Sequence, residues 1–255
     1  MRKSLVAAVA VLGIGAAGCS SSTAGSGHGP ASESAGSSAP ATSAGSTTSA
    51  TSTASNPHSG TPDKAALSKV VLTVADLPGW TGSPHESDPG DAADQAALVK
   101  CAGGKDTAGD QVAEADSPDF DQSDASISSS ATSFKSQSDI DADVALLKSP
   151  KISSCYEQLA KTQVASALPG GATVDSVSFA VTPGPGTGPS NVAGIGKGTV
   201  TVTVSGQQTV VYVDVAFITG RLTEAEIDIE NPGQAVPVAF FDDLVHKVAD
   251  RAANV

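Results

Sequence analysis

A run of 43 residues, 20–62, sets the first limit on this 255-residue chain: all but His28, Glu33, Asn56 and His58 are Ser, Thr, Ala, Gly or Pro. A segment with so little apolar side chain to bury cannot offset the entropy of ordering its backbone, so it is expected to stay disordered. As a flexible tether it would span roughly 35 Å root-mean-square and reach about 140 Å at most. Its composition also fits an O-glycosylated stalk, though a plain spacer is the simpler reading. Any fold must come from residues 63–255, one domain's worth of chain and enough for a real core.

Residues 1–18 begin with Arg2 and Lys3, continue as an apolar run over 5–17 and end in Ala16, Ala17 and Gly18 before Cys19. This is the layout of a secretory signal with a small-residue processing site, and the run is too short to span a bilayer. Ala16-Ala17-Gly18-Cys19 resembles a bacterial lipobox. The resemblance implies cleavage after Gly18 and an acyl-glyceryl anchor on the Cys19 sulfur. The expected organisation is a signal over 1–18, a lipidated cysteine and tether over 19–62, and a single domain over 63–255.

Removing Arg2 and Lys3 with the signal leaves 12 basic and 27 acidic residues, a net charge of −15. Such a surface repels nucleic acid and anionic headgroups and carries no basic patch for a phosphate backbone. Nucleic acid is therefore excluded as a partner. Two cysteines remain, Cys101 and Cys155, and in an oxidising compartment their pairing is the default. Neither a CxxC spacing nor a neighbouring histidine points instead to a redox or metal pair.

Helices are expected over 63–72, 91–101, 138–148 and 152–167, the last carrying Cys155, with turns at Pro78-Gly79 and Gly103-Gly104. Residues 126–134, rich in Ser and Thr, read as an edge strand. Val177, Phe179 and Val181 alternate with polar or small residues, and a Pro/Gly loop is expected over 183–198. Thr-Val alternation over 199–204 makes a strand, and Gly206-Gln207 turns the chain into 209–219, where Val211, Val213, Val215 and Phe217 share a face. After Gly220-Arg221, Ala225, Ile227 and Ile229 alternate with Glu224, Glu226, Asp228 and Glu230. A closing helix over 237–252 gathers Phe240, Phe241, Leu244, Val245, Val248 and Ala252 in one arc of about 140°. The fold class is α+β: an antiparallel meander of about four to five strands with helices on one face.

The element order, with Val-Leu-Thr-Val-Ala-Asp-Leu-Pro-Gly-Trp over 71–80 near its start and Cys101 and Cys155 flanking the centre, resembles the sensor-type extracellular domains of actinobacterial, mycobacterial-type envelope lipoproteins. It is similar to the extracellular sensor domains of mycobacterial serine/threonine kinases and to the Mog1/PsbP-like fold. The kinase domains carry two disulfides where this domain can make one. The resemblance implies a sensor-like role at the extracellular face of the cell membrane.

A hydrolytic triad wants a histidine base. Of the two histidines in the domain, His246 falls on the polar side of the last helix, and His85 lies in a polar loop without a Gly-x-Ser-x-Gly elbow. The acidic run Glu114, Asp116, Asp119, Asp121 and Asp124 starts like a calcium loop, but Asp124 replaces the required glycine and Ser130 the bidentate glutamate. Gly194-Ile195-Gly196-Lys197-Gly198 lacks the following Ser or Thr and precedes no helix, so it reads as a hairpin connection. The row Glu224, Glu226, Asp228 and Glu230 has the spacing of one sheet face, and reads as a water-facing surface that blocks edge pairing or meets a basic partner. One Trp and two Tyr argue against a glycan platform of stacked aromatics.

The expectation is a monomeric, non-catalytic surface lipoprotein with no cofactor or metal, anchored to the membrane by lipid at Cys19. Its domain would bind a small-molecule ligand or an envelope protein. The alternative is a lipid or glycolipid carrier with an apolar pocket between sheet and helix.

Overall fold

A computed structural model describes residues 60–86, 90–184 and 188–255. The expectations for the signal, Gly18, Cys19 and the tether up to residue 59 lie outside them. Asp63 caps a single helical turn, α1 (Lys64–Leu67), its carboxylate accepting from the Ala66 N–H at 2.9 Å. The helix expected over 63–72 stops there, because Leu67, Val70, Val71 and Leu72 are all buried, more than one helical side can present. The chain runs on in turns instead, with the Leu72 N–H donating to the Ser129 hydroxyl at 2.8 Å.

The domain is built on an eight-stranded antiparallel sheet: β1 (Thr81–Ser83), β2 (Gln111–Asp116), β3 (Asp119–Gln122), β4 (Ala125–Phe134), β5 (Thr173–Pro183), β6 (Val192–Val204), β7 (Gln207–Thr219) and β8 (Thr223–Pro232). Their order is β1-β3-β4-β8-β7-β6-β5, with β2 pairing β4 beside β3. The α+β class and the antiparallel meander β5 to β8 stand, but the sheet has three to four more strands than expected. The additional strands β1, β2 and β3 are short and carry little apolar alternation, and β2 and β3 are acidic. β4 is central rather than an edge, since β8 pairs it on one side and β2 and β3 on the other. Ser129 suits the interior because hydrogen bonds with neighbouring segments use both its hydroxyl and its backbone N–H. Ser129 receives Leu72 as above, and the Ser129 N–H donates to the Ser117 hydroxyl at 2.8 Å.

The loop expected over 183–198 ends early, at Val192, where β6 begins. Here glycine serves close packing. A methyl group on Gly196 or Gly198 would meet the Phe179 ring at 2.6 or 2.4 Å, so the bare backbone lets that ring lie across β6. The β6–β7 turn is Ser205-Gly206, both at positive φ (52° and 80°), one residue earlier than the pattern indicated.

Helices α2 (Asp91–Ala102), α3 (Gln137–Leu147), α4 (Ile152–Ala167) and α5 (Val238–Ala252) follow the expected spans closely. They do not share one face. Ala216 and Ile218 of β7 join Ala225, Ile227 and Ile229 of β8 under α5 and the α1 segment. Val211, Val213, Val215 and Phe217, the alternate residues of the same strand, pack with α2, α3 and α4. Period-two alternation sends these two sets to opposite sides, so the expectation of a one-sided helix layer is corrected: β7 is apolar on both faces and both are covered.

Cys101 at the end of α2 and Cys155 in the first turn of α4 form a disulfide, Cα to Cα 5.8 Å. Gln163 and Asp94 hydrogen-bond at the other end of the same helix pair. Among the described residues no helix is long and apolar enough to cross a membrane.

Candidate functional site

The acidic row of β8 does not form an open surface. Ala225, Ile227 and Ile229 take the α5 face, so Glu224, Glu226, Asp228 and Glu230 lie on the side of α3 and α4. Glu224, Glu226 and Glu230 are buried and Asp228 is partly so. The water-facing, partner-facing reading is thereby corrected. This sheet carries helices on both sides, and the carboxylates lie beneath one of the layers. Opposite them on β4 stand hydroxyls, in the pairs Ser126 with Glu230, Ser128 with Asp228, Ser130 with Glu226 and Thr132 with Glu224.

Burial, and then the charge of Asp143 on α3, pushes the Glu224 carboxyl up to about 8. Burial does the same to Glu230, also to about 8. Asp143 is itself buried and raised by burial, although the Thr107 hydroxyl donates to its two oxygens at 3.1 and 3.0 Å. Buried Tyr156 of α4 is held well above the usual phenol range, by burial first and then by the charges of Glu226 and Asp228. The cavity between α3 and this part of the sheet, lined by Leu147, Phe217, Glu224 and Glu226 among others, measures about 10 Å³. That is the threshold for a single water, so these residues offer no chamber for a lipid chain.

The other flagged residues separate. His85 Nδ1 lies 2.7 Å from Asp119 Oδ1, while Nε2 is buried without a hydrogen-bond partner. A base must present its free nitrogen to a substrate proton, and this geometry turns that atom inward. His246 is exposed, its Nδ1 2.7 Å from the Asp242 carbonyl, as the helical wheel placed it. The acidic run is spread over β2, β3 and the β3–β4 turn rather than gathered in a loop. Among the described residues no group of three or more His, Cys, Asp or Glu is arranged to hold a metal ion. Lys197 stands in strand β6, bridging to Asp214 of β7 and lying 5.0 Å from the centre of the Phe241 ring. It is therefore part of the sheet and not of a phosphate loop.

A concave site lies elsewhere, on the α5 face at the end of β8. After Ile229, the next residue on that face, Asn231, emerges where α5 has not yet begun to cover the sheet. A pocket of about 460 Å³ opens there, floored by Ile229 and Val236 and walled by Trp80 and Phe240. The two rings are nearly parallel, 7° between planes, with centroids 6.1 Å apart. That separation at such a small angle means they are laterally offset, so together they present a stepped aromatic wall. Gln122, Ser123 and Asp124 of the β3–β4 turn form one rim, and Asn231 and Gln234 the other. The turn is fixed to the Trp80 segment by Gln122 Nε2, which donates to the Gly79 carbonyl at 3.2 Å. Ser123 holds φ at 57° as the first residue of the two-residue turn between paired Gln122 and Ala125.

Trp80 carried a visible signal, a lone tryptophan after a Leu-Pro-Gly turn. Phe240 was grouped with the buried arc of α5, yet it is only half-buried, because it lies at the margin of that arc. Gln122, Asn231 and Gln234 had no signal, since single amides in loops are ordinary and only the fold brings these three together. No family model matches the chain, and no curated protein matches it.

Proposed function

We propose that this is the non-catalytic, ligand-binding domain of an envelope lipoprotein, held by acylated Cys19 at the extracellular face of the cell membrane and acting in a sensor-like role. Its ligand occupies the pocket walled by Trp80 and Phe240. One observation carries the reading: the pocket has the volume of small-ligand sites and their composition, an apolar floor and wall with a few convergent polar groups at the rim. The burial of the β8 carboxylates supports it from the other side, because it removes the most evident charged docking surface among the described residues.

Trp80 is the only tryptophan in the chain, so intrinsic fluorescence reports on the pocket alone. Screening envelope extracts and small molecules by tryptophan emission together with thermal shift should find a ligand that changes the spectrum saturably and raises the melting temperature. Stabilisation that leaves the Trp80 emission unmoved would place the site elsewhere. For the anchor, intact mass from detergent extracts should exceed the residue 19–255 polypeptide by a diacylglyceryl group. An unmodified Cys19 on a protein freely released to the medium would refute it.

A further inference from the structure

We infer that the ligand of this pocket is a neutral carbohydrate; the inference rests on the ligand-binding reading above and narrows it to one chemical class. A pyranose has an apolar face of C–H groups and an equatorial belt of hydroxyls that both donate and accept. The pocket offers the complement of each. The count of Trp and Tyr that argues against a glycan platform leaves out phenylalanine: the offset rings of Trp80 and Phe240 give an aromatic surface for the C–H face, and stacking of this kind is a main source of affinity when the ligand has no charge. Around that wall the side-chain amides of Asn231 and Gln234 supply paired donors and acceptors, Gln122, whose Nε2 already donates to the Gly79 carbonyl, adds its amide oxygen, and the Asp124 carboxylate is a strong acceptor.

Competing classes fit less well. Nucleotides and other phosphate or carboxylate ligands need a cation or a helical anion seat, whereas Asp124 is the one charged residue among those lining the pocket and carries the wrong sign. The net charge of −13 adds to that repulsion. An acyl chain would use Ile229, Val236 and the rings but would make no use of the Asn231 and Gln234 amides or the Asp124 carboxylate at the rim. A bare planar aromatic would stack on the wall and leave the same rim unused. Only a ligand with one apolar face and a hydroxyl edge uses both halves of the site. About 460 Å³ admits a disaccharide-sized segment.

The test is a fluorescence and calorimetric titration of residues 19–255 with cellobiose, maltose, mannobiose and N,N′-diacetylchitobiose, with benzoate, adenosine and lauryl maltoside as the contrasting probes. At least one disaccharide should change Trp80 emission saturably, with a dissociation constant in the millimolar range or tighter. Gln234→Ala, at the exposed rim, should weaken that binding about three- to tenfold while leaving the melting temperature in place, and Asn231→Ala, at the half-buried end of β8, should weaken it by a similar factor. Phe240→Leu should weaken it about tenfold and keeps the tryptophan reporter; Trp80→Phe, followed by calorimetry, should retain weakened binding. Saturable binding of adenosine, benzoate or lauryl maltoside with none to any disaccharide would overturn the carbohydrate assignment and leave the ligand-binding reading intact. No response to any probe, in wild type and in a pool of envelope glycans alike, would overturn both. Disaccharide binding that the rim variants and Phe240→Leu leave unchanged would move the sugar to another site and overturn this one.

Discussion

Strand β8 has two sides made by alternate residues of one ten-residue segment, and they are stabilised in opposite ways. Toward α5, Ala225, Ile227 and Ile229 join a core that includes Phe241, Leu244, Val245 and Val248. Toward α3 and α4, Glu224, Glu226 and Glu230 are buried as well, among hydroxyls and beside Asp143. The first face gains from removing apolar area from water, about 25 cal/mol for each Å². The second face must meet a desolvation cost, and two of its carboxyls do so by holding protons to about pH 8. Equal burial thus does not mean equal contribution, and the faces should respond to opposite perturbations.

The largest difference should come with pH. Unfolded, Glu224 and Glu230 titrate near 4.5; folded, each keeps its proton to about 8. Between those values the native state binds more protons than the unfolded state, so stability falls as pH rises from about 4.5 to about 8 and levels off above that. The two groups together should account for a loss on the order of several kcal/mol, read as a shift of the urea midpoint between pH 5 and pH 8. The variant Glu224→Gln with Glu230→Gln should flatten the curve and be the more stable form at pH 8. A profile that rises with pH, or one that the double variant leaves unchanged, would mean that these carboxyls are hydrated.

Covalent and apolar perturbations follow. Cys101→Ala with Cys155→Ala opens a loop set by a separation of 54 residues, which chain entropy values at about 4 kcal/mol. The loss should show as a lower melting temperature, and reductant should reproduce it in the wild type. Leu244→Ala, on the opposite face, removes a side chain with no exposed surface and should cost about 3 kcal/mol at either pH. The α5 face would then differ from the acidic face in being indifferent to protons.

What could be read from the sequence divides along the same line. The long helices and β5 to β8 follow from periodicity, and the cysteine pair from arithmetic. The second helix layer was missed because alternation over 209–219 marks one apolar face and says nothing of Ala216 and Ile218, whose side of the strand is equally buried. The carboxylate row was misplaced for a related reason: a polar residue every second position has the same pattern whether water or a helix lies above it. β4 was read as an edge because its partners β2 and β3 are too short and acidic to show themselves. The pocket was half legible, through Trp80 alone, because its amides come from the end of β3 and from the end of β8 and the loop after it, separated by more than a hundred residues.

The smallest effect should fall at the sheet's margin, where the acidic side meets solvent. β5 is an edge, yet part of its outward backbone is already used. The Phe179 N–H donates to Glu157 Oε1 and the Val181 N–H to the Ser153 hydroxyl, each at 3.0 Å, so α4 closes the strand with side chains in place of a ninth strand. Protecting an edge in this way removes a template for pairing with another chain. Glu157→Ala should therefore cost only about 1 kcal/mol in global stability, since the freed amide turns to water. Its local signature is sharper: amide exchange at Phe179 should accelerate while Val181, still held by Ser153, keeps its rate. Glu157→Gln, which preserves the accepting oxygen, should restore the Phe179 rate toward wild type. Equal acceleration along the whole of β5 in Glu157→Ala would mean that α4 holds this strand by packing on Phe179, and that the hydrogen bond only follows.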